Sequence, residues 1–223
     1  MKVIIGNRAY SSWSLRGWLA AKQSLLPFET VVVPMDTPEW KSGAAKAGMP
    51  SGKVPVLWDH DVPVWDSMAM IMWLADKGGH DRFWPREWPA RGLAYAMSAE
   101  MHSGFAPLRA GCPMNLKQRF PTFQPTAEIM ADIARIEALW TEARQRFGEE
   151  TGEPWLFGRF GAADIMYAPV CTRIDTYGLP VGGVAAAYVK AVLNHPWMRE
   201  WTEAAKAETF PFDRYPIPGG VPA

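Results

Sequence analysis

The feature that most limits what this chain can fold into is a change of apolar period near residue 83. Before it, short β-branched runs alternate with helical stretches; after it, only helical spacing is left. Lys2–Gly6 (KVIIG) and Phe28–Val33 (FETVVV) are strand-length runs rich in Val and Ile. Between them, residues 11–24 carry Leu15, Trp18 and Leu19 at helical spacing, with serines placed to cap the start. Val54–Trp58 and Val62–Trp65 flank Asp59-His60-Asp61, which reads as a hairpin with a polar turn. Asp66-Ser67 then opens a helix over Met68–Asp76 that Gly78-Gly79 closes. The expected order is β-α-β, an irregular segment, then β-β-α.

Residues 83–90 (FWPREWPA) read as a linker, because two prolines and bulky Trp residues interrupt any helix. Beyond them Ile129, Ile133, Ile136, Trp140, Ala143 and Phe147 fall on one helical stripe. Residues 91–110, 161–175 and 184–207 are further helices, the last broken at Pro196. The tail after Phe210 carries four prolines and reads as extended, pinned by its aromatics. The expectation is an α/β domain over residues 1–80, a linker at 81–89 and an all-helical domain at 90–223, with no strand in 91–205.

Composition excludes several function classes. Lys plus Arg and Asp plus Glu both number 23, so there is no electrostatic case for a nucleic-acid or acidic-membrane partner. No apolar run approaches the ~18 residues of a membrane span, and Met1–Gly6 does not read as a signal peptide. Cys112 and Cys171 stand far apart in no CxxC pair, which argues against a disulfide framework, a zinc site or a dithiol oxidoreductase. A cytoplasmic protein without a metal is expected. The 12 Trp and 12 Met mostly fill cores, and the same side chains also line adaptable apolar pockets.

Three segments bear on chemistry. In Tyr10-Ser11-Ser12-Trp13-Ser14-Leu15-Arg16 the hydroxyls are either helix caps or donors to a thiolate held at the positive end of the helix dipole. The protein need not supply that sulfur itself. Asp66-Ser67 is an N-cap, and a helix start with a hydroxyl and free amides also suits a carboxylate. In Lys53-Val54-Pro55 the proline is either an ordinary trans edge residue or a cis one that presents the Val54 backbone to an extended ligand.

Taken together, a strand, an SSxSxR helix start, KVPxL and then DS heading a helix resemble the pattern of glutathione transferases, and the SSxSxR start is similar to zeta-like bacterial members. The resemblance implies a thioredoxin-like α/β N-terminal domain and an all-α helical-bundle C-terminal domain. It also implies glutathione as co-substrate, a small apolar electrophile as partner, and a homodimer. By that resemblance Ser11 partners the thiolate, with Ser12 and Trp13 beside it, and Val54 pairs with the cysteinyl backbone of glutathione. Asp66 and Ser67 hold its γ-glutamyl end, and Lys41 and Lys53 are candidates for its glycyl carboxylate. Tyr10 and His102 are candidates for the electrophile pocket; His102 otherwise faces solvent or is satisfied in the core. Tyr10, Ser12 and Ser14 compete with Ser11 for the thiolate, and Ser12 or Ser14 is expected to take the cap. Non-catalytic glutathione or hydrophobe binding, glutathione-dependent peroxide reduction and isomerisation are alternative activities. Two departures stand out. Trp13 replaces the zeta-type cysteine, and Gly161 replaces the hydroxyl residue of an S/T-x-x-D capping box ahead of Asp164.

Overall fold

The structure, a computed structural model, describes residues 1–212 and 217–223. Its N-terminal half is built on a four-stranded sheet of order β2-β1-β3-β4. Strand β1 (Lys2–Ile5) leads into helix α1 (Ser12–Ser24), which returns the chain to β2 (Glu29–Val32). These two strands are parallel, pairing Val3 with Thr30 and Ile5 with Val32, a geometry that requires a crossover such as α1. The segment expected to be irregular holds a short helix, α2 (Pro38–Ser42), capped by Thr37, and a single 3-10 turn at Ala44–Lys46. The antiparallel hairpin of β3 (Val56–Asp59) and β4 (Val62–Val64) follows, then α3 (Ser67–Gly78). His60 takes a positive φ of 55° in the hairpin turn.

The remainder is helical: α4 (His80–Phe83), α5 (Trp88–Ser103), α6 (Ala106–Gly111), α7 (Ala127–Ala143), α8 (Ala162–Tyr177), α9 (Gly183–Asn194) and α10 (Pro196–Ala207). Pro196 separates the last two helices, as its position predicts. Pro89 does not interrupt a helix, because α5 already starts at Trp88 and a first-turn proline lacks only an amide that had no helical partner. Ile129, Ile133, Ile136, Trp140 and Ala143 are buried along α7, and the stripe ends in a π-type turn at Arg144–Gly148 that leaves Phe147 half-buried. One expectation needs correcting. Strand β5 (Gln118–Arg119) lies within residues 91–205 and pairs with β6 (Val221–Pro222), because the C-terminal tail folds back and adds the bond from Ala223 N to Lys117 O. This two-residue rung adds no layer to the helical half. No helix among the described residues is long and apolar enough to cross a membrane.

Two glycines decide how the pieces close. At Gly161, an added Cβ would stand 2.7 Å from the Phe83 carbonyl oxygen, so the cap position has no room for a serine. The other half of the capping box survives: Asp164 accepts from Gly161 N at 2.9 Å, and also from Leu156 N and the Tyr188 hydroxyl. Burial pushes the Asp164 carboxyl up to about 6, opposed by those three donors. At Gly17, inside α1, an added Cβ would lie 2.7 Å from Pro55 Cγ and 3.0 Å from the Met70 methyl. The bare helix surface therefore lets the Val54–Pro55 turn seat against α1, beside Ser11.

Gly92, in α5, has nothing within 4 Å of its would-be Cβ. Gly92→Ala should stabilise by about 1 kcal/mol through helix propensity alone. Gly17→Ala gains the same propensity but should be net destabilising, since overpacking costs about 1–3 kcal/mol. Thermal melts of the two variants should move in opposite directions.

Candidate functional site

The start of α1 faces a pocket of about 300 Å³ between the sheet domain and the helices. Tyr10, Ser11, Ser12 and Trp13 form its floor; Met35, Trp40, Lys53 and Val54 line the sheet-domain side. Arg109 on α6, Pro113, Met114, Arg173 on α8 and Phe212 of the tail close the helical side. The Val54–Pro55 peptide is cis, which settles the alternative left open by the sequence.

The cap of α1 falls on Ser11, not on Ser12 or Ser14. Ser11 Oγ accepts from Ser14 N at 3.2 Å. Ser14 is fully buried, and its hydroxyl accepts from Gly6 N at 2.9 Å where β1 ends, so it is already committed. The Ser11 and Ser14 hydroxyl oxygens are 2.7 Å apart and share a hydrogen bond that either can donate. When Ser14 donates it, the Ser11 proton is free to point into the pocket. Ser12 Oγ instead accepts from Arg173 Nη2 at 3.3 Å. The Tyr10 ring stacks on Phe212 with centroids 4.2 Å apart.

Six of the candidate residues, Tyr10, Ser11, Ser12, Trp13, Lys53 and Val54, thus meet in one wall. The other four lie outside it. Lys41 is largely exposed and pairs with Asp36 at 3.3 Å, while its neighbour Trp40 reaches the pocket. Asp66 caps α3 through Oδ1, which accepts from Met68 N at 3.0 Å, and its Oδ2 lies 2.9 Å from His102 Nε2. His102 therefore ties α5 to the head of α3, with its ring edge-on to Trp13 at 5.3 Å, and does not line the pocket. Ser67 Oγ is fully buried and has no hydrogen-bond partner among the described residues. An unsatisfied buried hydroxyl is unfavourable by about 1–3 kcal/mol, which an arriving acceptor would recover.

Arginines are what sequence reasoning missed. Two guanidinium groups lie over the Trp13 ring, that of Arg16 at 4.8 Å and that of Arg109 at 4.9 Å. Arg16 is fully buried and donates from Nε to Met166 O at 2.8 Å. Burial lowers its pKa, with Arg109 and Arg173 adding repulsion, against the pull of Tyr167 and Asp66. Arg109 donates to the carbonyls of Gly104, Met101 and His102 and so closes the C-terminal end of α5. Arg173 is also buried, donating to Cys112 O and Pro169 O as well as Ser12. The signal for Arg16 was present in the SSxSxR motif. Arg109 and Arg173 lie far away in sequence and had none. The charged side chains lining the pocket, among the described residues, are Lys53, Arg109 and Arg173, all cationic.

Neither cysteine lines the pocket, and both are buried. Burial pushes the Cys112 thiol up to about 12 and Cys171 well above its usual range.

This geometry can be set against known proteins. Residues 10–77 match the family model for the glutathione S-transferase N-terminal domain, and residues 125–204 that for the C-terminal domain. The chain belongs to the glutathione S-transferase family. It is 23% identical to mouse glutathione S-transferase theta-1 over 202 residues, which is 85% of this chain and 76% of that protein. Among solved structures, a glutathione transferase homolog from Burkholderia gl BGR1 with bound glutathione superposes with a TM-score of 0.67. The match is 18% identical and covers 93% of this chain and 98% of that one. Yeast Ure2p in complex with glutathione superposes with a TM-score of 0.68 at 17% identity, covering 91% and 92%. At these identities the structural matches establish the fold: a mixed sheet with helices followed by a helical domain.

The two residues heading α3 should separate in a melting experiment. Asp66→Ala loses the cap and should destabilise by about 1 kcal/mol. Ser67→Ala removes a hydroxyl with no protein partner, and its melting temperature should stay at or above that of the parent.

Proposed function

We propose that this chain binds glutathione along the pocket and activates its thiol for attack on a small electrophilic carbon. The observation that carries this reading is Ser11, whose hydroxyl lines the pocket at the positive end of α1 with Ser14 behind it. Glutathione bound in the Burkholderia homolog and in Ure2p is in keeping with it. Ser14 donates to Ser11 and Ser11 to the sulfur, so that the thiolate is favoured and its proton passes to water. The thiolate attacks carbon, the carbon–sulfur bond forms, and the leaving group departs with its electron pair.

The remaining roles run from the pocket to the head of α3 beyond it. The Val54 backbone takes the cysteinyl residue, with Ser12 and Trp13 beneath it. Lys53, with Lys41 further out, serves the glycyl carboxylate. Asp66 attracts the γ-glutamyl ammonium and Ser67 donates to its carboxylate, while His102 acts through Asp66. The zeta-type isomerisation is not proposed, since Trp13 stands where that chemistry has its cysteine. Arg109 on the helical side favours an electrophile with an acidic group on its apolar body, rather than a wholly apolar one.

We also propose domains at residues 1–80 and 90–223 joined by 81–89, a cytoplasmic location, and a homodimer. Met72, Tyr95 and Trp65 expose apolar surface on and just before α3 and on α5, and a shared face there suits a second copy. Light scattering should give twice the chain mass, and Met72→Glu should give a monomer.

Turnover of a chlorodinitrobenzene tests the reaction, and glutathione capture without turnover would instead indicate a binding module. Ser11→Ala should raise the pKa of bound glutathione, read from thiolate absorbance, and slow conjugation at neutral pH. If Tyr10→Phe raises that pKa while Ser11→Ala leaves it alone, the phenol is the donor. Ser67→Ala should weaken glutathione binding by roughly ten-fold, the worth of a hydrogen bond to a charged group.

A further inference from the structure

The loop between β1 and α1, residues 6–11, ends in Ser11, and much of what fixes it comes from the other end of the chain. Asn7 holds its near half: Tyr10 N and Ser11 N donate to Asn7 O at 3.2 and 2.9 Å, and Met35 N donates to Asn7 Oδ1. The middle of the loop is held from the helical half. Arg8 N donates to Glu208 Oε2 at 2.8 Å, and Arg8 Nη1 to Glu208 Oε1 at 3.1 Å. Arg8 O accepts from the Trp201 indole at 3.0 Å, and Ala9 O accepts from Leu116 N at 3.1 Å. Glu208 is itself fixed, since Lys117 Nζ donates to its carbonyl and its side chain is only 6% exposed.

We infer that Glu208 is a positioning residue for the thiolate site, holding the main chain at Arg8 so that Ser11 meets the sulfur. This rests on the glutathione reading above. The physical case is one of placement. A carboxylate clamping a backbone amide three residues before Ser11 fixes the loop more firmly than a neutral acceptor would, since charge-assisted hydrogen bonds are about twice as strong. Burial pushes the Glu208 carboxyl above its usual range, and the Arg8 donors pull it back toward the charged form. A catalytic hydroxyl out of place by a fraction of a bond length loses much of its effect. Nothing in the packing of α10 demands this acid for its own sake. Trp201 and Met198 already bury the helix, and its exposed Glu200 pairs with Lys22 on α1 without touching the loop.

The test uses the full chain and three variants, reading the thiol pKa of bound glutathione, kcat, glutathione affinity and melting temperature. Glu208→Gln keeps the shape but removes the charge. It should raise the bound-thiol pKa and lower kcat by roughly ten-fold, the scale of one charge-assisted hydrogen bond, with glutathione affinity unchanged. Trp201→Phe removes the indole donor to Arg8 O, while the smaller ring also loosens its packing on Trp18, and should move the same two readouts the same way by less. Glu200→Gln should leave both at parental values. If Glu208→Gln and Trp201→Phe lower only the melting temperature, the clamp is structural and the inference is overturned. If Glu208→Gln does not fold, Trp201→Phe decides by the same readouts. A parent protein that leaves the glutathione pKa where it is in water would overturn the glutathione reading and this inference together, an outcome distinct from variants that match an active parent.

Discussion

Helix α1 has to satisfy two domains at once, and the rest of the molecule is arranged around that demand. Its N-terminus faces the pocket, one side packs on α3 and the Val54–Pro55 turn, and the other enters the helical domain. There Arg16 meets Met166 O, and the Trp18 ring packs tilted against Trp201. A helix sharing its surface this way has little freedom to shift. Its start is therefore a firm place to hold a hydroxyl, because sites on packed elements keep their geometry better than sites on loops. Gly17 shows the constraint at one atom: a single methyl there would push the turn carrying Val54 away from the turn carrying Ser11.

Much of the fold was legible because its signals are local. β-branched runs, the polar hairpin turn, the DS cap of α3 and the α7 stripe each need only a few neighbours; strands β1 to β4, α1 and α3 formed within two residues of expectation, and α7 ended four residues before Phe147. What escaped has non-local causes. Helix α2 is too short for a period. Pro89 looked like an interruption because its meaning depends on where α5 begins, one residue earlier. The β5–β6 rung exists only because the tail returns across the helical half, and nothing in Gln118-Arg119 announces that.

The site divides the same way. The sequence placed Tyr10, Ser11, Ser12, Trp13, Lys53 and Val54 by motif, and these meet in one wall. It misjudged the division of labour among the serines, because Ser14 is committed by Gly6 N on the preceding strand, a contact no spacing rule encodes. His102 looked like a pocket residue by its place on the first long helix of the second half; its partner, Asp66, comes from a different domain. Arg109 and Arg173 were invisible for the opposite reason. A buried arginine inside a helix reads as a solvated surface charge until the fold shows what surrounds it.

Those arginines bear on what replaces the zeta-type cysteine. A thiol beside the ligand sulfur would offer chemistry; an indole offers a surface. With two guanidinium groups over its ring and the His102 ring nearly perpendicular to it, Trp13 is held in place and its π density is shared by two cations. The ring also screens Arg16 from the pocket, so the buried charge acts through distance rather than contact. In a medium of low dielectric such a charge still favours an anion nearby, and more strongly than it would in water. After burial itself, repulsion from Arg109 and Arg173 lowers the Arg16 pKa further. An anion arriving among them relieves that repulsion as well as forming its own contacts. An indole at position 13 thus gives the pocket a fixed aromatic surface held by two cationic side chains, where a cysteine would have given a reactive group.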